Sequence, residues 1–295
     1  MDVHDLRVFD AVARHLHYTR AAKEMGLSQP AVSARIDALQ RDLGAELLHR
    51  VGRGMALTAA GEVLAQESRK VLARMDACRQ AVEEVKGLIR GRLRIGASTT
   101  PGIYLVPRAA ARFAALHPGV TLEVKVDNTL AVEEAVLRGD IHLGVVGGHL
   151  AARDLQTEAL ADDEVVVLCG PGHPLAKKRA VEVDEILEHP FATREKGSAT
   201  RQVFERWLAD RGRACRVGVE FGSPEAVKHA VAEGSWLGAL SRLSAAWEVE
   251  AGRLRVLKVN GLDLRRRLQV IRQKEGGGGR AAEELLRLLR EVAAR

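Results

Sequence analysis

The feature that most constrains this chain is the spacing of apolar and turn-forming residues from position 19 to 43, Thr-Arg-Ala-Ala-Lys-Glu-Met-Gly-Leu-Ser-Gln-Pro-Ala-Val-Ser-Ala-Arg-Ile-Asp-Ala-Leu-Gln-Arg-Asp-Leu. It predicts two helices joined by a tight turn. Thr19 is placed to cap the first, Gly26 lets the backbone leave it at positive φ, and Ser28 caps the second, with Pro30 in its first turn. Val32, Ile36, Leu39 and Leu43 follow a 4-3-4 spacing and predict one buried stripe. The N-terminal half of the other side carries Gln29, Pro30, Ser33, Ala34 and Arg35, short or fork-shaped groups suited to base edges and phosphates in a DNA major groove. Spacing alone also allows an ordinary helical hairpin.

The flanks extend this pattern. Leu6, Phe9, Val12, Ala13 and Leu16 recur at helical spacing and predict a preceding helix packed beneath the other two. Gly44 stops the second hairpin helix, Leu47 and Leu48 return to the core, and residues 50–58 form a Gly-punctuated ribbon, as in a winged helix-turn-helix. Arg50 and Arg53 are its candidate DNA contacts. Arg53 sits between two glycines at the tip, where it can enter a minor groove, pair with phosphate or remain a solvated loop residue. Residues 1–58 hold eight Lys or Arg against seven Asp or Glu, so a DNA-binding head must segregate its charges by face despite the overall formal charge of +6.

From 59 to 89 no proline interrupts a helical pattern. Leu64, Val71, Met75, Cys78, Val82, Val85 and Ile89 lie on a 3.5-residue repeat with Ser68 at the polar seam position, which predicts a coiled-coil dimerisation helix. Packing on the chain's own later domain is the alternative.

These residues carry a dense family resemblance. Leu6-x-x-Phe9, Ala21-Ala22, the run Leu27-Ser28-Gln29-Pro30-Ala31-Val32-Ser33, Ile36-x-x-Leu39, Leu43-Gly44, Leu47-Leu48-x-Arg50 and Leu57-Thr58-x-Ala60-Gly61 resemble the LysR-type transcriptional regulators. Gln40 stands where that family usually has Glu, and Leu48 where it usually has Phe. The resemblance implies a winged head on double-stranded operator DNA, a dimer that is usually assembled further to a tetramer, RNA polymerase as a partner, and a regulatory region of two Rossmann-like lobes like those of periplasmic binding proteins.

Beyond Gly91 short apolar strands alternate with helical segments, an α/β pattern. Strands are expected at 93–97, 120–126 and 141–146, with helices at 103–116 and 131–138, making two βαβ units. A second lobe has strands at 165–169, 191–194, 217–221 and 236–240, with helices at 184–188, 200–211 and 224–233. Residues 268–271 return as a strand to the first lobe, and 280–294 form a closing helix after the glycines at 276–279. The expected domains are therefore 1–58, 59–90 and 91–295, with lobe I at about 91–161 and 266–295 and lobe II at about 162–265.

Ser98, Thr99 and Thr100 follow a strand and precede a helix, where hydroxyls, N–H groups and a helix dipole favour an anion. The segment 193–201 offers a matching strand end, with Arg194 as a clamp and Ser198 or Thr200 as helix cap. Facing each other, such ends hold a small carboxylate, phosphate or sulfur oxyanion, unless the hydroxyls only cap their helices. Thr129 beside Asn128, and Gly147 beside Gly148, are further candidates for the same crevice. Both segments resemble those of carbon-fixation and sulfur-assimilation regulators, which implies an anionic effector.

The run Arg265-Arg266-Arg267 reads as a solvated strand edge, with subunit or DNA contact as the alternative. No catalytic or metal-binding constellation is expected: His15 and His17 cannot share a helix face, and no Gly-x-Ser-x-Gly elbow or phosphate loop occurs. Cys78, Cys169 and Cys215 form no pair motif. No apolar run suits a membrane and no export signal is read, so a cytoplasmic location is expected, with no cofactor besides the effector. The competing function is a cytoplasmic small-molecule binding protein whose N-terminal helices serve assembly.

Overall fold

The computed structural model describes the backbone of residues 1–294 apart from 53, 86–90, 151, 153–154 and 275–278, and the side chains of these except 76–77, 79–81 and 83–85. Arg53, Ile89, the side chain of Val85 and Gly276, Gly277 and Gly278 lie outside the described residues. The chain forms two compact units, one over Met1–Val85 and Arg138–Asp140 and the other over Lys86–Leu137 and Ile141–Arg295.

In the first unit, α1 (Val3–His15) starts in a capping box in which the Asp2 and Asp5 carboxylates each accept the other residue's N–H at 2.8 Å. It ends one residue sooner than its apolar pattern predicts. Leu16 turns left-handed at φ 47° and is 40% exposed instead of joining the buried face. Helix α2 (Tyr18–Met25) begins after His17, so Thr19 lies inside the helix and does not cap it. Gly26 ends α2 at φ 65°, and α3 (Gln29–Leu43) opens with the Ser28 hydroxyl accepting the Ala31 N–H at 3.3 Å. Val32, Ile36 and Leu39 are buried with Val8, Phe9, Val12, Ala21 and Leu47. Leu43, expected in that stripe, is 40% exposed beyond the end of the core.

Strands β1 (Leu48–Val51) and β2 (Gly54–Leu57) pair antiparallel, Leu48 opposite Leu57, and form the wing. The two departures from the family pattern are accommodated. Gln40 Oε1 accepts the Leu47 N–H at 2.8 Å, which needs only a carbonyl or carboxylate oxygen, and Leu48 packs against the helical core. Helix α4 (Ala59–Val85) has 27 residues, about 40 Å at 1.5 Å per residue. It buries Ala65 and Ser68, and Arg69 Nε meets Asp10 of α1 at 2.9 Å. Of the heptad positions with described side chains, Val71, Cys78 and Val82 stay exposed, Met75 is partly covered, and Leu64 and Ser68 pack toward this unit's core; Val63, off the stripe, is exposed as well.

The second unit contains β3 (Gly91–Ser98), α5 (Thr99–Tyr104), α6 (Val106–Leu116), β4 (Val120–Asp127), α7 (Thr129–Leu137) and β5 (Leu143–Gly147). These are followed by β6 (Leu155–Cys169), α8 (Val183–Leu187), β7 (Phe191–Arg194), α9 (Ala199–Ala209), β8 (Val217–Phe221), α10 (Pro224–Ala232) and β9 (Leu237–Ser241). The chain closes with α11 (Arg242–Glu250), β10 (Arg255–Val256), β11 (Arg265–Gln273) and α12 (Gly279–Ala293). The single helix expected over 103–116 is two. Pro107 in the first turn of α6 cannot donate to the preceding turn, and the break falls at Leu105.

The main sheet runs β4-β3-β5-β11-β6-β9-β7-β8, with β10 alongside β6. In lobe I, β3 is parallel to β4 and β5; α6 and α12 cover one face around Phe113 and Leu285, and α7 covers the other around Val132 and Val136. In lobe II, β7 is parallel to β8 and β9, with α8 and α9 on one face and α10 and α11 on the other. The strand expected at 165–169 is only the end of β6, which spans 15 residues: 155–164 pair with β11, and 165–168 pair with β9. The lobes therefore share two crossing strands. A winged, mainly helical head, a long helix and a two-lobed α/β region agree with the fold class expected from the sequence.

Gly61 packs so closely that a Cβ built on it would lie 2.0 Å from the Leu47 carbonyl oxygen. Gly61→Ala is expected to destabilise the first unit by about 1–3 kcal/mol. Calorimetry of the full chain should show that unit's transition shifted to lower temperature and the other unmoved.

Candidate effector cleft and DNA interface

The C-terminal ends of parallel strands in the two lobes meet at one cleft, where open α/β sheets bind ligands. From lobe I come Ser98, Thr99 and Thr100 after β3, and Asn128 and Thr129 after β4. Arg194 ends β7, Ser198, Ala199 and Thr200 open α9, and Arg266 enters from β11. Sequence reasoning had nominated Ser98, Thr99, Thr100, Thr129, Arg194, Ser198 and Thr200, and the structure brings them together. Gly147 lies behind them, where a Cβ would come within 3.3 Å of the Arg266 guanidinium carbon, so glycine leaves space for that side chain.

The hydroxyls do not spend themselves on helix ends. Ser98 and Ser198 occupy N-cap positions but make no side-chain cap bond, and Thr200 accepts from Arg266 Nη1 at 2.9 Å. Helix α5 has only six residues, so the expected dipole contribution at 98–100 is small, and the positive charge comes from side chains instead. The Arg194 side chain is 2% exposed; its Nε and Nη2 hold the Glu195 carboxylate at 2.8 and 2.9 Å, and Nη2 also reaches Thr99 Oγ1 at 3.0 Å. Arg201 steadies the backbone there by donating to the Arg194 carbonyl at 2.9 Å.

Arg266 corrects the reading of 265–267 as a solvated edge. On a strand, alternate residues face opposite sides, so Arg265 and Arg267 are exposed while the Arg266 side chain is 3% exposed, paired through Nε with Asp163 at 2.7 Å. Its Nη1 and Nη2 reach Thr200 of lobe II and Thr100 of lobe I, at 2.9 and 3.3 Å. Burial lowers the Arg266 pKa, the nearby Arg194 adds to that, and Asp163 opposes both. Two guanidiniums within reach of each other and out of water favour an anion between them.

The cleft has about 210 Å³ of space outside protein atoms, and its centre admits little more than one water. Room for a ligand there requires that the lobes part or that Arg266 give up its bonds to Thr100 and Thr200. A wider groove beside it, lined by Arg206, Trp207, Arg265 and Arg267, is a poorer anion site, because Arg265 is exposed and already pairs with Asp263 at 2.5 Å. The residues that sequence reasoning missed are Arg266, Asp163 and Glu195. The one sequence signal for the first was its phase with the apolar Leu264, Leu268 and Val270 on one face of the strand.

On the first unit, Gln29, Pro30 and Ala34 are exposed on α3, Ser33 and Arg35 are partly covered, and Arg50 is exposed on β1. Arg35 is already engaged, its Nη1 donating to Asp5 Oδ1 at 2.6 Å, so it offers DNA only its remaining N–H groups. Among the described residues no helix is long and apolar enough to cross a membrane, and no cluster of three or more His, Cys, Asp or Glu is placed to hold a metal ion.

Comparison with known families matches residues 3–62 to the bacterial regulatory helix-turn-helix proteins of the lysR family, and residues 86–294 to the LysR substrate binding domain. The chain belongs to the LysR family. It is a DNA-binding transcriptional regulator with an effector-binding domain, so its N-terminal helices are not assembly elements alone. It is 36% identical to the RuBisCO operon transcriptional regulator of Allochromatium vinosum over 92% of this chain and 89% of that one. Its fold is similar to that of a full-length OxyR variant from Pseudomonas aeruginosa, with a TM-score of 0.79 and 23% identity, covering 100% of this chain and 97% of that one. The CcmR regulatory domain of Synechocystis PCC6803, solved in complex with 2-PG, matches with a TM-score of 0.64 and 28% identity, over 69% of this chain and 98% of that domain.

Removing the Arg266 charge alone leaves Asp163 buried without its partner. Arg266→Met is expected to destabilise the second unit by about 3–5 kcal/mol, and adding Asp163→Asn to recover most of that loss. Chemical denaturation followed on that unit's transition measures both.

Proposed function

We propose that this LysR-family regulator senses a small, compact anion held between Arg194 and Arg266. The observation that carries the reading is the pair of buried guanidiniums ringed by the hydroxyls of Ser98, Thr99, Thr100, Ser198 and Thr200. Thr129 and Gly147 shape the floor. The 2-PG bound by the related CcmR domain and the RuBisCO operon relative support a phosphorylated carboxylate, such as 2-phosphoglycolate, as the first effector to try. No catalytic residue, metal or cofactor enters this mechanism, and the protein works in the cytoplasm.

In this reading residues 1–58 are the reading head, 59–90 the linker and 91–295 the sensor. Gln29, Pro30, Ser33 and Ala34 face base edges, while Arg35, Arg50 and Arg53 serve phosphates or the minor groove. The exposed Val71 and Val82 of α4, and the apolar groove formed by Leu43, Leu47, Ala60 and Val63, support dimerisation along this helix. The dimer pairs into a tetramer on a partly palindromic operator, where effector binding changes the DNA bend or the contact with RNA polymerase.

Titration calorimetry with 2-phosphoglycolate, phosphate and sulfate tests the sensor. Arg194→Met is expected to abolish binding of whichever anion the parent takes up, with operator affinity in the unliganded state kept; binding of uncharged analogues as tightly as anions would overturn the reading. Introducing Val71→Glu with Val82→Glu should shift the light-scattering mass of the full chain downward and weaken operator binding more than tenfold. Unchanged mass would remove α4 as the dimer seam.

A further inference from the structure

A second polar network joins the lobes at the opposite end of α5. Thr99 and Thr100 open this helix, and Tyr104 closes it. The Tyr104 hydroxyl lies 2.7 Å from Glu225 Oε1 of α10 and 3.2 Å from the Ser244 carbonyl oxygen of α11, so lobe I reaches two elements of lobe II through one phenol. Behind it Lys228 Nζ stands 2.9 Å from Glu225 Oε2, 2.7 Å from Glu248 Oε1 and 3.0 Å from the Ser244 carbonyl oxygen, with a side chain only 6% exposed. Lys228 Nζ also donates to the Tyr104 hydroxyl oxygen at 3.4 Å, so the ammonium touches the phenol as well as both carboxylates.

The Glu225 oxygen facing lobe I is left for the phenol. Burial, with Glu225 beside it, pushes the Tyr104 pKa up to about 12, so the hydroxyl stays protonated and donates. Burial also works against the Lys228 charge, but Glu248 and Glu225 outweigh it and raise the pKa, keeping the cluster ionised. Helix α5 thus bonds to lobe II at both ends, Thr99 with Arg194 and Tyr104 with Glu225 and the Ser244 carbonyl, and Thr100 bonds to Arg266 on the crossing strand β11.

We propose that Tyr104 is a positioning residue for effector capture, latching α5 to lobe II through Glu225 and Lys228 so that Thr99 and Thr100 stay aligned with the two arginines. The inference rests on the anion-cleft reading. Apparent affinity scales with the fraction of molecules whose lobes are already aligned, so a group that never touches the ligand sets its dissociation constant. Loss of the latch weakens binding without changing which anion is preferred.

The full chain carrying Tyr104→Phe tests this, since the ring remains and only the hydroxyl goes. The dissociation constant for 2-phosphoglycolate is expected to rise about five- to tenfold, with the preference over sulfate unchanged. Hydrogen exchange of the unliganded variant should quicken in 99–104 and also in 242–250, on the opposite lobe, while its melting temperature stays within a few degrees of the parent's. Glu225→Ala should reproduce both effects, and the double variant should add nothing to it. Parent-level exchange in 242–250, unchanged affinity, or additive losses in the double variant would each overturn the latch. If the parent itself takes up no 2-phosphoglycolate, that outcome counts against the anion reading, and the exchange and double-variant arms alone decide the latch.

Discussion

The ion pair between Asp163 and Arg266 is the constraint on which the regulatory unit depends. Both side chains are almost wholly buried, on adjacent strands that belong to neither lobe alone. Burying two charges costs several kcal/mol per ion before their attraction and hydrogen bonds are counted. Here Ser241 donates to Asp163 at 2.7 Å, and Thr100 and Thr200 accept from Arg266. Apolar residues of the same volume would stabilise the crossing as well. What they would not supply is a positive group fixed at the meeting point of two lobes, nor a penalty for pairing the strands out of register. A slip of one residue would turn Arg266 to solvent and drive Arg265 or Arg267 inward.

The cleft gets its electrostatic character from side chains rather than backbone. Helix α5 is too short to concentrate much dipole at 98–100, whereas two guanidiniums, each held by its own carboxylate, give directional donors. The carboxylates fix the arginines without consuming all their N–H groups. The same economy appears in the head, where Asp5 orients Arg35 on the reading helix.

Much of this architecture was legible in the sequence because local chemistry and tertiary packing agree. Gly26, Ser28 and Pro30 dictate the hairpin turn, and the alternation of apolar strands with helices dictates the two lobes. Where they disagree the sequence misleads. Thr19 has capping chemistry, but the chain turns earlier, at His17, and Leu16 leaves its helix in a left-handed conformation that no periodicity announces. The nominated hydroxyls and Arg194 were visible because each ends a strand. Arg266 was hidden within a run of like charge, since burial of a cation becomes plausible only once Asp163, about a hundred residues away in the chain, is known to stand beside it. The helix α11, with Ser244 and Glu248, escaped notice because its amphipathic pattern is weak, and with it the contact that ties Tyr104 across the lobes.

The continuity of β6 has a mechanical consequence. Where lobes are joined by loose loops, they swing on near-frictionless pivots and their separation is set by whatever lies between them. Here 15 unbroken residues of β6, laddered to β11 for most of that length, must themselves deform. The irregularity between Leu268 and Gln269 is the softest point in that ladder. Motion therefore takes the form of a small change in sheet twist, opposed by a restoring torque. A sheet joined in this way opposes parting of its lobes, and any change of its twist displaces most the outermost strands, β4 and β8, where the lever arm is longest.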